Sequence, residues 1–410
     1  MRNNGEQRTA STGALLWLAL ATFSMGIDGY VLTGLLPGIA RDLQVDTAAA
    51  GQLMSVFALT GAVAGPMLSA VTGRWERKAV IVVSLAVFIV GNVAVALATT
   101  YPAAMAGRVV SAVGGALLSA LVSAYVIAKT PTERRGRALS LVMGGWLAAT
   151  ALGVPVGLLL GQQDWRIPLL LVAAVGAVAL VGIVLQVPRL HLPPVRLATT
   201  LLPLRRGRIL AALIVPVALM AASYFCFTYA ALIVGVRAGS GLAMVAVLFG
   251  YGVVSFCGNI VAGRRIDRRG PIPVATGIVV AVIAATLLGS AGLLLPGLLG
   301  AVAAVAWFLA VGAFYGGSGV SLQARLSGMA PESAALLVAL NSSAMMLGSA
   351  LGSATGGAAL AAGISPDALV PLSLVFLAVA LGVHLIVARR EVVRPAPQAA
   401  VATAGSTPAL

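Results

Sequence analysis

What most limits this chain is the recurrence of apolar runs about as long as a bilayer is thick. Read between charges, glycines and prolines, twelve runs are predicted as helices. They lie at about 14–36, 49–72, 79–99, 103–127, 138–160, 167–187, 209–235, 243–262, 272–292, 297–320, 334–361 and 367–387. A helix of about 20 residues crosses the ~30 Å of hydrocarbon. Backbone in lipid must satisfy its own hydrogen bonds, which leaves helices or closed barrels. A barrel needs segments of about ten residues alternating apolar and polar, and the sequence has none. Composition agrees: 9% of residues are charged and 60% hydrophobic, whereas a soluble protein carries roughly a quarter charged. The expected fold class is therefore an all-α integral membrane protein of twelve transmembrane helices.

The basic residues set the expected topology. With the N-terminus in the cytoplasm, twenty-two of the 26 Lys and Arg fall in cytoplasmic segments and three, Arg41, Arg166 and Arg237, fall outside. Such a bias is the positive-inside pattern, and it predicts a multi-pass protein of the cell membrane with both termini cytoplasmic. The expected organisation is a cytoplasmic N-terminal segment (1–13), a six-helix bundle (14–187), a basic, Pro-rich linker (188–208), a second six-helix bundle (209–388) and a disordered cytoplasmic tail (389–410). Arg2 and Arg8 before an apolar run imitate a signal peptide, but the run is too long for one and is expected to be an uncleaved first span. Net charge is +15, yet the charges sit in short loops without interleaved aromatics, so nucleic acid is not an expected partner. Cys226 and Cys257 lie inside apolar segments and are expected to be packing residues. With His191 and His384 they make no metal site, and no cofactor is expected.

One ionisable residue of each sign is left within the bilayer: Asp28 in "SMGIDGYVLTGLLP" and Arg108. A charge at mid-depth costs roughly 2.5–3.5 kcal/mol on insertion scales, so intramembrane acids mark function. Asp28 lies about 12 Å and Arg108 about 8 Å below the outer surface at 1.5 Å per residue. The halves also repeat. "GPMLSAVTGRWERK" (65–78) and "NIVAGRRIDRRG" (259–270) each end a Gly-containing span in a tight basic turn, about half the chain apart. Repeated halves are a transporter architecture with the substrate site between them.

At these residues the chain resembles the major facilitator superfamily, and within it the twelve-span bacterial drug:proton antiporters of the arabinose-efflux and chloramphenicol-resistance type. The turn after span two resembles G-x-L-x-D-R-x-G-R-R/K through Arg74, Arg77 and Lys78, with Gly65 further upstream, Gly73 in place of the Asp and Glu76 in place of the second Gly. The second copy keeps Asp267, Arg268 and Gly270. "RVVSAVGGA" (108–116) matches the span-four motif, with Ser111 for the usual Gln. "GGWLAATALGVPVG" (144–157) is similar to the antiporter motif of span five through Gly145, Gly153, Pro155 and Gly157, and the stretch "LNSSAMMLGSALGSATGG" of span eleven carries Gly348, Gly352 and Gly356.

The resemblance implies two pseudo-symmetric six-helix bundles that export, as a monomer, small mostly apolar compounds such as antibiotics in exchange for protons. It also implies a cytoplasmic gate at Gly65, Arg74, Arg77, Lys78, Asp267 and Arg268, although positive-inside topology alone would explain most of the Arg. Asp28 is expected to carry the proton with Arg108 as its modulator; the alternatives are a static ion pair and contact with a cationic substrate. Tyr30, Phe57, Phe227, Tyr229 and Asn341 are candidates for the substrate cavity or, alternatively, for ordinary packing. The span-five glycines are expected either to slide or to pack, and those of span eleven to pack. Export of sugars or other polar metabolites is the competing function. An enzyme would need a nucleophile or metal motif, and an ATP-driven pump a P-loop; the sequence has neither.

Overall fold

The computed structural model describes residues 11–131, 135–191, 207–239, 241–330 and 334–393. Most of the linker and of the tail, and the first ten residues, lie outside the described residues. No strand occurs among the described residues. Eleven helices there are long and apolar enough to cross a membrane. The twelfth, span five, is divided: Arg135–Ala148, a π turn at Ala149–Gly153, then Val154–Gly161. Its cause is Pro155, which lacks the N–H that a regular helix would give the Ala151 carbonyl. The chain accommodates the loss by widening one turn.

The remaining spans run Thr12–Val31, Thr47–Val71, Arg77–Ala96, Tyr101–Lys129, Arg166–Gln186, Gly207–Phe227, Leu242–Arg269, Pro271–Gly292, Gly297–Met329, Ala334–Ala361 and Leu374–Val393. They are spans one to four, six, and seven to twelve. Sequence punctuation fixes their ends. Asp46 accepts from the Ala49 N–H at the start of span two. Gly270, at φ +78°, closes span eight with its N–H on the Ile266 carbonyl, and Pro271 opens span nine at once.

Within each half the helices pack as a bundle: span one on five and six, span three on four and six, span seven on eleven and twelve, span eight on ten. Two seams join the halves, span two against span eleven and span five against span eight. The face on which span one begins is here the terminal face, and the opposite one the distal face. In span five it is the outer helix Val154–Gly161 and the π turn that meet span eight. The seam between spans two and eleven runs from Gln52 and Ala354 near the distal face to Gly61 and Met346 about midway. The bundles therefore touch on the distal side.

Candidate functional site

Asp28 sits one turn before span one gives way to a 3-10 turn at Leu32–Gly34, and Arg108 projects from span four toward it. The Arg108 Nη1 donates to Asp28 Oδ1 at 2.7 Å, with side chains 2% and 0% exposed. Arg108 also gives its Nε–H to the Leu53 carbonyl at 3.3 Å, and its guanidinium lies 4.2 Å from the Phe57 ring centroid. A buried guanidinium keeps its charge tolerable by such spreading over carbonyl, carboxylate and ring. Asp28 Oδ2 is buried and has no hydrogen-bond partner among the described residues. The pair is closed to water in this conformation.

The antiporter-motif glycines are gathered against the same helix. A Cβ at Gly145 would strike the Ala19 carbonyl, one at Gly153 the Ile27 side chain and one at Gly157 the Val31 side chain. All three contacts fall on span one, the helix that carries Asp28. Span eleven repeats the device: Gly348, Gly352 and Gly356 abut the carbonyls of Val217, Ala221 and Phe225, a matching four-residue stripe of span seven. Small residues at this spacing let backbones approach closely.

The candidate cavity residues separate. Phe227 lines a pocket inside the C-terminal bundle with Tyr251, Trp307, Phe308, Ser223 and Thr286. Its ring stacks on Phe308 with centroids 6.0 Å apart, and Tyr251 leans on both. The Trp307 Nε1–H is buried there without a partner among the described residues. Phe57 covers Arg108 instead. Tyr229 lies apart from the pocket, its hydroxyl 3.0 Å from the Ser353 carbonyl. Asn341 is buried on span eleven with its Nδ2 3.5 Å from the Met345 sulfur and its Oδ1 unpartnered among the described residues. The side chain of Tyr30 lies outside the described residues.

The basic turns are arranged unequally. Gly65 rests on Ala116 of span four, Arg74 is exposed, and Arg77 is buried. Lys78 Nζ donates to the Val184 carbonyl at 2.7 Å. Asp267 and Arg268 stand exposed at the end of span eight, in no ion pair among the described residues. Glu76, which replaces a motif glycine, has a job of its own. It caps span three through the N–H groups of Lys78 and Ala79 and accepts the Leu190 N–H at 2.9 Å. Burial alone pushes its carboxyl up, but those three N–H donors and nearby His191 outweigh it and hold it below the usual glutamate range.

A further buried cation, inside a span, was not legible. Span ten continues to Met329, so Arg325, expected in a loop, is 3% exposed inside the helix. Its Nη1 donates to His384 Nδ1 at 2.6 Å, and the other ring nitrogen of His384 meets the Thr276 hydroxyl at 2.7 Å. Of the cysteines, Cys226 is buried as expected of a packing residue, whereas Cys257 is exposed on span eight; both are free. Phe256 and Ile260 share that exposed face.

Comparison with known proteins places this geometry in a lineage. A chloramphenicol resistance protein of Streptomyces lividans is 33% identical over 266 residues, 62% of this chain and 67% of that protein. The inner membrane transport protein YdhP of Escherichia coli K12 is 28% identical over 85% of this chain and 89% of its own length. Among solved structures, the nucleoside transporter NupG superposes with a TM-score of 0.70 over 92% of this chain and 99% of that one, at 15% identity, a likeness of fold. Residues 18–353 match the Major Facilitator Superfamily, and with two six-helix halves meeting at two seams, the chain belongs to that family of membrane transporters.

Proposed function

We propose that the chain exports small, mostly apolar compounds in exchange for protons, as a monomer with its terminal face in the cytoplasm. The observation that carries this reading is the buried Asp28–Arg108 pair, whose second carboxylate oxygen meets no partner among the described residues. The relative named for chloramphenicol resistance and the aromatic character of the residues around Phe227 support the substrate class. That character favours it over sugars or other polar metabolites.

The exchange follows from the pair's chemistry. A proton arriving at Oδ2 discharges Asp28 and leaves Arg108 charged, held only by the Leu53 carbonyl and the Phe57 ring. Breaking a buried pair from one side costs about 3–5 kcal/mol. That approaches the ~5.5 kcal/mol needed to swing a two-state equilibrium from 1:99 to 99:1. Protonation then favours the conformation that lets water reach the guanidinium, and release of the proton restores the pair. One charge crossing 100 mV supplies about 2.3 kcal/mol, enough for a gradient of roughly fiftyfold.

The test is Asp28→Asn in everted vesicles. Wild type should release protons from the vesicle interior when substrate is added, and the variant should not. Undiminished substrate-driven proton movement in Asp28→Asn would overturn the proposal.

A further inference from the structure

Span seven ends its regular helix at Phe227 and continues through a turn into a π turn at Ala231–Gly235, with no proline to force the break. The break presents Tyr229 sideways, into the seam between spans two and eleven. Its phenol is fully buried, 3.0 Å from the Ser353 carbonyl of span eleven and 3.5 Å from the Ala48 carbonyl of span two. Thr228 and the Ser353 hydroxyl, 2.6 Å apart, fix the turn from the same side. Gln52 of span two answers with its amide on the Ala354 carbonyl at 3.4 Å. Two glycines make the room. A Cβ at Gly51 would fall on the Tyr229 ring, and one at Gly357 on both the Gln52 amide and the Tyr229 hydroxyl.

We propose that Tyr229, with Gln52, is the distal gate: a bolt built into the C-terminal bundle that closes onto span two and can be withdrawn. A phenol has one proton to donate. The nearer carbonyl, Ser353, belongs to Tyr229's own bundle and stays with it when the halves part. Among the described residues, opening therefore breaks the long contact to Ala48 and the Gln52 bond, and leaves the Tyr229 donor paired. Tyr229 is a positioning residue here, not a substrate contact. The gate rests on the proton-coupled export proposed above, but its test reads conformation directly.

Spin labels at Gln163→Cys and Leu294→Cys, both exposed on the distal face, are placed in a Cys257→Ser background in lipid nanodiscs, and their separation is measured by electron–electron resonance. Gln52→Leu removes the hydrogen bond that crosses the seam and should raise the open-to-closed ratio about two- to tenfold, the range of one hydrogen bond. Gly357→Ala must push aside the two groups that bridge the seam and should raise it further. Unchanged distance distributions in both variants, with the proteins monodisperse, would overturn the gate. Shifted distances in a protein that moves no protons would keep the gate and remove the coupling.

Discussion

At the scale of single residues, the Asp28–Arg108 pair gives an asymmetric expectation. Removing one partner strands a buried charge at about 3–5 kcal/mol, whereas removing both charges together can be close to neutral. Arg108→Ala should therefore lower the midpoint of thermal unfolding in detergent well below wild type, and Asp28→Asn/Arg108→Gln should recover most of the loss while leaving transport dead. A double variant as unstable as Arg108→Ala would mean that packing, not charge, is what the pair provides. Glu76 lies outside the spans and gives a pH dependence. Its folded carboxyl titrates below its unfolded value, so its contribution is fully present above the ordinary glutamate range near 4.5 and is lost as pH falls through the depressed folded value. A lost helix cap costs about 1 kcal/mol. Unfolding rates of wild type and Glu76→Ala should differ at pH 7 and converge in acid.

At the scale of elements, adjacent glycines of span five separate packing from mere composition. Gly145 faces the Ala19 carbonyl of span one, while a Cβ at Gly144 would meet nothing within 4 Å. Gly145→Ala must displace the Ala19 carbonyl and the Thr22 hydroxyl, so span one must shift; we expect a loss of about 1–3 kcal/mol, the usual cost of overpacking, seen as a lower unfolding temperature. Gly144→Ala should be silent in the same assay. Pro155→Ala acts through register. Restoring the N–H lets Val154–Gly161 join Arg135–Ala148 as one helix, and removing the extra residue of the π turn rotates the outer segment by about 100°, the angle per residue of a 3.6-residue turn. Gly157 would then leave Val31. Transport should fall at least tenfold while helix content by circular dichroism stays level; full transport in a straightened span would assign the π turn no part in function.

For the whole molecule, the twelve spans and their pairing in two halves were legible because length and hydropathy alone decide what can cross a membrane. Breaks and buried polar networks were less so. Pro155 accounts for the interruption in span five, but span seven breaks without a proline, through contacts of Thr228 and Tyr229 with Ser353 across 125 and 124 residues of sequence. Arg325 looked like a loop charge because nothing local distinguishes a snorkelling arginine from one held by a distant histidine. Glu76 looked like a motif lapse because its partner, Leu190, lies 114 residues away. What the assembled chain adds is the asymmetry of its seams, which meet on the distal side and bring Gln52 of one bundle to Ala354 of the other. If the halves must part there once per cycle, a tether across that contact stops transport without touching Asp28, the pocket or the fold. Gln52→Cys/Ala354→Cys, in a Cys257→Ser background, should lose transport when bridged by a short thiol-cleavable crosslinker and regain it on reduction, while each single-cysteine variant is unaffected by the reagent. Transport that persists in fully bridged protein would mean that the distal seam stays closed throughout, and that substrate leaves the membrane by a path other than between the bundles.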